Sequence, residues 1–303
     1  MKFKILYSIA FIALFGMSAL AQSGSVKLRG TRLTYPLVNK WISEFNKTYP
    51  NVKVEIAQKD ASDSLDLEIY TFDITASGLK EGKEAAVLNR YAQLPIANSK
   101  RPGLKELQAK GFTENDLKKI YFTGEATDKV TAKNFPLVIY RRDKPACAAK
   151  SFATHYGSDP NKALGVGVKG DDRNLSVFVK KDVNGLSYNN LGFVYDIFTR
   201  KVADSLAVIP LDLNENGRID PNEQIYGTLD EVIAFIEQTN NKKIPFDNVN
   251  VVFDKKPKNP SAGLFLRWVL TEGQKFNHEY GFINQEQTVL SRQREIVAGS
   301  FKN

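Results

Sequence analysis

The sequence predicts an α/β fold with parallel strands, divided into two lobes. Strand, helix and strand follow one another over residues 25–56, a spacing that implies a right-handed crossover unit and therefore a parallel sheet. A second run, residues 135–157, is typical of a buried strand that leads through a polar turn into a helix. The length of 303 residues favours two lobes, because single domains usually hold roughly 100–200 residues.

The first 21 residues are predicted to be a signal peptide and are not part of the fold. They comprise a basic start with Lys2 and Lys4, an apolar stretch over 5–17, and a small-residue pattern that places cleavage after Ala21. No second apolar stretch of spanning length follows. The mature chain is therefore expected to be a soluble periplasmic or secreted protein.

The charge balance favours small anions as ligands. The formal net charge is +8, from 42 Lys and Arg against 34 Asp and Glu, and loss of Lys2 and Lys4 leaves +6. The basic residues are spread along the chain, so nucleic acid is not expected as a partner. Cys147 is the single cysteine and excludes an intramolecular disulfide. No nucleophile, nucleotide or zinc motif is present, so we do not expect an enzyme.

The amino-terminal elements are defined by their periodicity. Residues 25–29 alternate as a short strand, and Thr34 and Pro36 are a typical cap and first turn of a helix. Strands are predicted at 52–56 and 69–76. The apolar residues of the intervening helix recur on one face: Leu37, Val38, Trp41, Ile42, Phe45 and Tyr49.

Two later helices are predicted from their starts. Thr113 with Asp116 and Thr228 with Glu231 have the spacing of N-terminal capping boxes. The second of these opens the apolar segment 228–238, which we interpret as a helix.

The run over 135–157 contains the best candidate for a binding site. Its strand, 135–140, brings Arg141 and Arg142 to the carboxyl end of a parallel sheet, where open α/β sheets bind ligands. The following helix, from about Ala146, begins at the same place, so its positive end faces it too. Guanidinium groups beside a helix N-terminus predict an anion site.

A family resemblance covers most of the mature chain. The segment GTRLTYPLVNKWISEFNKTYPNVKVEI, followed by FDITASG, resembles the opening of the phosphate-binding-protein family, the periplasmic substrate-binding components of phosphate ABC transporters. Similar patterns recur at YAQLPIANS (91–99), FTENDLKKIYFTGEA (112–126), residues 163–193, and GLFLRWVLTEGQKFNHEYGFI (263–283), the last resembling the closing helix of the family.

This resemblance implies the type II periplasmic-binding-protein fold. Each of the two α/β lobes would hold a mixed sheet flanked by helices, with two crossover strands as the hinge. Lobe one would comprise 25–94 plus 256–303, and lobe two 100–252. A ligand in the cleft would be enclosed by hinge motion.

The same resemblance implies a set of phosphate ligands. Thr34, Ser62, Ser77 and Arg142 match family positions, and Arg141 and Lys144 would add positive charge. The chain also departs from the family. Gly78 replaces the Asp that accepts the hydrogen of a protonated phosphate, and residues 145–148, Pro-Ala-Cys-Ala, replace Gly-Ser-Gly-Thr.

These departures leave two functions open. The first is an exported receptor that binds a small oxyanion, most simply phosphate, as a monomer and delivers it to an ABC permease. The second is a diverged accessory, sensor or interaction protein of the same fold that has lost phosphate binding. The lost hydrogen bonds would weaken phosphate binding, because each bond to a charged ligand is worth roughly 1.5–3 kcal/mol.

A separate motif predicts a calcium site. Residues 212–223, DLNENGRIDPNE, fit the twelve-residue EF-hand loop, with Gly217 at the sharp turn. We expect structural Ca²⁺ binding that holds an insertion between a strand and a helix; without metal, the segment would be a polar turn. The predicted ligands are Asp212, Asn214, Asn216, Arg218 through its carbonyl, Asp220 and Glu223.

Overall fold

We describe the protein from a computed structural model, in which residues 24–58, 64–74, 78–125 and 137–302 are described. The predicted signal peptide, Ser62 and Ser77 lie outside the described residues. Within these ranges, no helix is both long enough and apolar enough to cross a bilayer.

Strands and helices alternate along much of the chain. The strands are β1 (Gly24–Gly30), β2 (Val52–Ile56), β3 (Leu67–Tyr70), β4 (Lys83–Asn98), β5 (Val138–Arg142), β6 (Val166–Val168), β7 (Gly185–Asn190), β8 (Leu206–Val208) and β9 (Phe246–Asp254). The α-helices are α1 (Tyr35–Thr48), α2 (Leu104–Lys110), α3 (Glu114–Lys118), α4 (Cys147–His155), α5 (Asp172–Lys181), α6 (Leu191–Val194), α7 (Leu229–Thr239), α8 (Pro260–Val269) and α9 (Gln287–Ser300).

The described strands form one mixed sheet in the order β2-β1-β3-β9-β4-β7-β5-β6, with β8 also paired to β4. β1 is parallel to β2 and β3, and β5 is parallel to β6 and β7. The predicted α/β class and its parallel crossover unit are therefore confirmed. β4 joins the two halves, because its first part pairs with β9 and its second part with β7 and β8.

Two hydrophobic clusters lie on either side of this join. The first contains Trp41 and Phe45 of α1 and packs on the sheet around β1 and β9; we call this half the first lobe. The second contains Phe152 and Tyr188, whose rings stack at 3.6 Å, and we call this half the second lobe. The exact lobe boundaries given above remain predictions.

Four predicted elements differ from the structure. β5 extends to Arg142, two residues beyond the predicted strand end at residue 140. Thr34 precedes α1, but its hydroxyl makes no capping hydrogen bond to the helix. β3 ends at Tyr70, earlier than the predicted 69–76. The closing helix stops at Val269 and continues as short 3₁₀ turns.

A contact with the first helix explains where the closing helix stops. The indole Nε1 of Trp41 donates a 2.8 Å hydrogen bond to the carbonyl of Gly273. This carbonyl therefore points into the core and not along a helix axis toward a backbone N–H. The backbone of Gly273 approaches the Trp41 ring so closely that an added Cβ would lie 3.3 Å from it. The Thr271 hydroxyl also donates to the carbonyl of Arg267, one of the last carbonyls of α8.

Candidate functional site

A cavity of about 440 Å³ lies where the turns after β1, β5 and β6 meet. β1 is parallel to its neighbours in the first lobe, and β5 and β6 are parallel to each other in the second. The cavity therefore lies at carboxyl ends of strands from both lobes, the position expected for a ligand in open α/β sheets. We call it the cleft cavity. It is lined by Arg29, Gly30, Thr31, Arg32, Leu33, Tyr35, Arg142, Ala146, Cys147, Gly170, Asp171 and Asp172.

Arg142 is the last residue of β5, and its side chain lines the cleft cavity. The side chain is only 12% exposed, and its Nε lies 3.5 Å from Oδ1 of Asp172. The Nε and Nη1 atoms are buried and find no hydrogen-bond partner within the described part of the chain. Because a buried donor without an acceptor is costly, this guanidinium is suited to bind an anion.

Three helices begin at the same cavity. Tyr35 opens α1, Cys147 opens α4 and Asp172 opens α5, and each lines the cavity. Among the described residues, none of these helices has a side-chain hydrogen bond at its N-cap. The first N–H groups of a helix lack partners within it, and its N-terminus carries partial positive charge. The start of α1 offers few donors, because the N–H of Tyr35 donates to the carbonyl of Arg32 and Pro36 has no N–H. Together with Arg142, the starts of α4 and α5 make the cavity electropositive and rich in donors.

Two carboxylates counter this charge. Asp172 is largely buried, and burial raises the pKa of its carboxyl to about 6, although Arg142 opposes the rise and Asp171 adds to it. Asp171 instead faces the first lobe, where its Oδ2 lies 3.7 Å from Nη1 of Arg32. Asp172 therefore takes up a proton about two pH units above an ordinary aspartate, directly beside the arginine.

The predicted anion ligands are only partly brought together. Arg142 lines the cleft cavity, whereas Thr34, Arg141 and Lys144 are not among its lining residues. Thr34 is 1% exposed, and its hydroxyl donates to the carbonyl of Thr31 at 2.8 Å. Arg141 is adjacent to Arg142 in a strand, where successive side chains point to opposite faces, and its Nη1 donates to the carbonyl of Arg142.

Sequence reasoning missed Asp172, Arg29 and Arg32 as cavity residues. The available signal for Asp172 was a glycine followed by two aspartates at a helix start, after a short apolar strand. That signal alone does not show that β6 pairs with β5 and so places Asp172 beside Arg142.

The loop over 212–223 forms a tight turn around its acidic residues. Asp212 and Glu223 are each 2% exposed. Glu223 accepts hydrogen bonds from the N–H groups of Leu213, Asn214 and Asp220 at 2.8–3.0 Å. In the described residues, no three Asp, Glu, His or Cys side chains are arranged to hold a metal ion.

The turn itself has the geometry that its glycine was predicted to supply. Gly217 has φ +88°, a conformation that favours glycine, and its N–H donates to Oδ2 of Asp212 at 2.8 Å. Two residues later, the N–H of Ile219 donates to the carbonyl of Ala109, which ties the loop to the end of α2.

Comparison with solved structures identifies the fold. A Clostridium perfringens protein solved with bound phosphate, assigned to the substrate-binding proteins of phosphate ABC transporters, matches with a TM-score of 0.64 and 18% identity over 86% of this chain and 100% of its own. An ABC-type phosphate transport receptor from Vibrio cholerae matches at 0.60 and 13% identity, over 86% and 100% of the two chains. PstS from Borrelia burgdorferi matches at 0.54 and 15% identity, over 88% and 100%.

No protein-family model matches the sequence, and no curated protein sequence is detectably similar to it. At identities this low, the structural likeness shows the fold alone. The predicted two-lobed periplasmic-binding-protein fold is confirmed by these matches, which cover most of the chain.

Proposed function

We propose that this chain is an exported substrate-binding protein that holds a small oxyanion of the phosphate class in the cleft cavity and delivers it to an ABC importer. The observation that carries this proposal is Arg142, whose buried Nε and Nη1 have no hydrogen-bond partner among the described residues and which lines a cavity between two lobes. The solved structures of this fold named above, one of them with bound phosphate, support the same reading.

The donor geometry favours an oxyanion over other anions. A guanidinium offers a planar fork of N–H groups that matches two oxygens of one anion. Arg29 and Arg32 add positive charge along the wall that belongs to the first lobe. The starts of α4 and α5 offer backbone N–H groups, and backbone donors do not depend on the hydroxyl side chains that this sequence has lost.

Asp172 supports phosphate in preference to sulfate. An ionised carboxylate beside the ligand would repel an anion without hydrogens, but it accepts a hydrogen bond from one that carries a proton. Because the pKa of Asp172 is raised to about 6, its carboxyl is mostly ionised at pH 7.5 and mostly protonated at pH 5. At neutral pH, phosphate can supply the shared proton from one of its own oxygens, whereas sulfate cannot. Asp172 thereby supplies the acceptor that is missing at Gly78.

Calorimetry at two pH values tests this proposal. On the chain without its first 21 residues, phosphate should bind at pH 7.5, and sulfate should bind only at pH 5, where Asp172 is mostly protonated. Asp172→Asn should let sulfate bind at pH 7.5 as well. If neither phosphate nor another oxyanion of the phosphate class produces heat up to millimolar concentration at either pH, the oxyanion-receptor proposal is wrong, and the alternative of an accessory, sensor or interaction protein is favoured.

The predicted export and importer partner can be tested separately. Amino-terminal sequencing of the protein from a periplasmic extract should start at Gln22. Stimulation of the ATPase of a purified importer by the ligand-loaded chain, and not by the Arg142→Met variant, would support delivery to a permease.

We also propose that the loop over 212–223 binds Ca²⁺ as a structural ion. Support comes from the complete ligand pattern, the burial of Asp212 and Glu223, and the Gly217 turn. For Glu223 to bind the ion with both oxygens, its side chain would give up hydrogen bonds to Leu213 and Asn214. Asn214, Asn216, Asp220 and the Arg218 carbonyl would complete the site.

A further inference from the structure

A second, apolar cavity of about 610 Å³ adjoins the cleft cavity. We call it the apolar groove and define it by Leu33, Pro36, Val177, Phe193, Ile197 and Phe282, which lie in its wall. Leu33 lines both cavities, so this one side chain marks where they meet.

Two helices run from the cleft cavity along the groove. At the start of α1, Tyr35 lines the cleft cavity and the next residue, Pro36, lines the groove. In α5, Asp172 lines the cleft cavity, and the groove is lined by Arg173, Ser176, Val177 and Lys180. These four positions have the i, i+3, i+4, i+7 spacing of a single helical face. The electropositive cavity and the groove therefore form consecutive parts of one walled surface.

The cleft cavity, which is partly open to solvent, has room for more than an inorganic phosphate ion. A phosphate ion has five heavy atoms and fills roughly 150 Å³, at the ≈30 Å³ per heavy atom that a water molecule occupies. The cavity holds about 440 Å³ before the groove is added. Sites of about 300–1,000 Å³ usually take larger organic molecules, with apolar walls around a few polar anchors.

We propose that the ligand is an organic phosphate monoester, with its phosphate at Arg142 and its apolar tail in the groove. This inference rests on the proposed function and narrows its ligand class. A monoester keeps three terminal oxygens for Arg142 and the helix N-termini, and it can share a proton with Asp172, because the second phosphate pKa lies near 6. The tail leaves the cleft cavity past Leu33 and covers Val177, which is 38% exposed in the free chain.

Calorimetry with a series of tails tests the proposal. The probes are inorganic phosphate, ethyl, butyl and hexyl phosphate, and hexyl sulfate, all at pH 7.5 on the chain without its first 21 residues. Each buried methylene is worth about a fourfold gain in affinity, so hexyl phosphate should bind at least tenfold more tightly than inorganic phosphate. Hexyl sulfate should bind far more weakly than hexyl phosphate.

Two matched variants locate the tail. Val177→Asn should reduce the advantage of hexyl phosphate about fivefold or more while inorganic phosphate binds as before. Val183→Asn makes the same change at a residue that is 45% exposed and is not a lining residue of the groove, and it should alter neither. Both valines are partly exposed, so folding is expected to survive either change.

The outcomes separate this inference from the function on which it rests. If inorganic phosphate binds as tightly as every monoester, the monoester inference is wrong and the oxyanion receptor stands. If the tail increases affinity but Val177→Asn leaves that increase intact, the groove assignment is wrong. If hexyl sulfate equals hexyl phosphate, the tail alone drives binding and the inference is also wrong. If no probe binds, the proposed function itself has failed.

Discussion

Arg142 and Asp172 form an ion pair in which Nε of the arginine lies 3.5 Å from Oδ1 of the aspartate. The pair joins the end of β5 to the start of α5, and both side chains line the cleft cavity. It holds the guanidinium in place, yet Nη1 finds no acceptor among the described residues. In the proposed site, an incoming anion would meet a spare donor and a carboxylate together, so we expect the protonation of Asp172 to control how well that anion binds.

Arg142→Met should abolish phosphate binding in calorimetry, because it removes the buried charge and its donors. Arg142→Lys should weaken binding by tenfold or more, since a lysine keeps the charge but lacks the planar fork. Arg141→Met is the matched control, because Arg141 does not line the cavity. The phosphate affinity of this variant should stay within about threefold of that of the native chain. Equal losses at both arginines would contradict the assignment of the site to Arg142.

Stability should depend on pH through Asp172. Burial raises the pKa of this carboxyl from an ordinary 3.8 to about 6. The folded state therefore binds more protons than the unfolded state between these values, and this carboxyl lowers the free energy of unfolding as pH rises through them. The pKa difference lowers the free energy of unfolding by about 3 kcal/mol at pH 7 and leaves it unchanged below pH 3.8.

Asp172→Asn mimics the protonated form at every pH. Its free energy of unfolding in urea, compared with that of the native chain, should increase progressively between pH 4 and 7. A difference between the two proteins that stays constant with pH would show that Asp172 is not buried in its charged form.

Calcium should raise the melting temperature, and a chelator should reverse the increase, because an ion that binds only the folded chain stabilises it. Glu223→Gln should remove this response, as the amide cannot act as a bidentate anionic ligand. It should also lower the melting temperature without calcium, since Glu223 accepts buried backbone hydrogen bonds. Glu215→Gln, in the same loop at a position that is not a predicted ligand, should keep the calcium response.

The stacked pair of Phe152 and Tyr188 should be a major contributor to the stability of the second lobe. Phe152 is 1% exposed and its ring lies 3.6 Å from that of Tyr188. Phe152→Ala should cost about 3–5 kcal/mol of unfolding free energy through lost burial and the cavity left behind. Phe178→Ala, at a ring that is 44% exposed, should cost far less. Similar losses in urea melts of the two variants would contradict the packing described here.

Local patterns predicted local structure well. The apolar stripe of α1 is buried as expected at Leu37, Val38, Trp41 and Phe45. Both predicted capping boxes are confirmed, with Thr113 accepting from the N–H of Asp116 and Thr228 from that of Glu231. Such features depend on residues three or four positions apart, so the sequence contains all the information needed to predict them.

The sequence by itself determined the α/β class, the parallel crossover and the arrival of an arginine, Arg142, at the carboxyl edge of a sheet. Only the tertiary structure decided that Asp172 is the neighbour of this arginine and that the closing helix stops where Gly273 meets Trp41. The physical reason is distance along the chain. Periodicity and capping act within a few residues, whereas the Trp41–Gly273 hydrogen bond joins positions 232 residues apart and exists only once α1 and the segment after α8 have packed together in the first lobe.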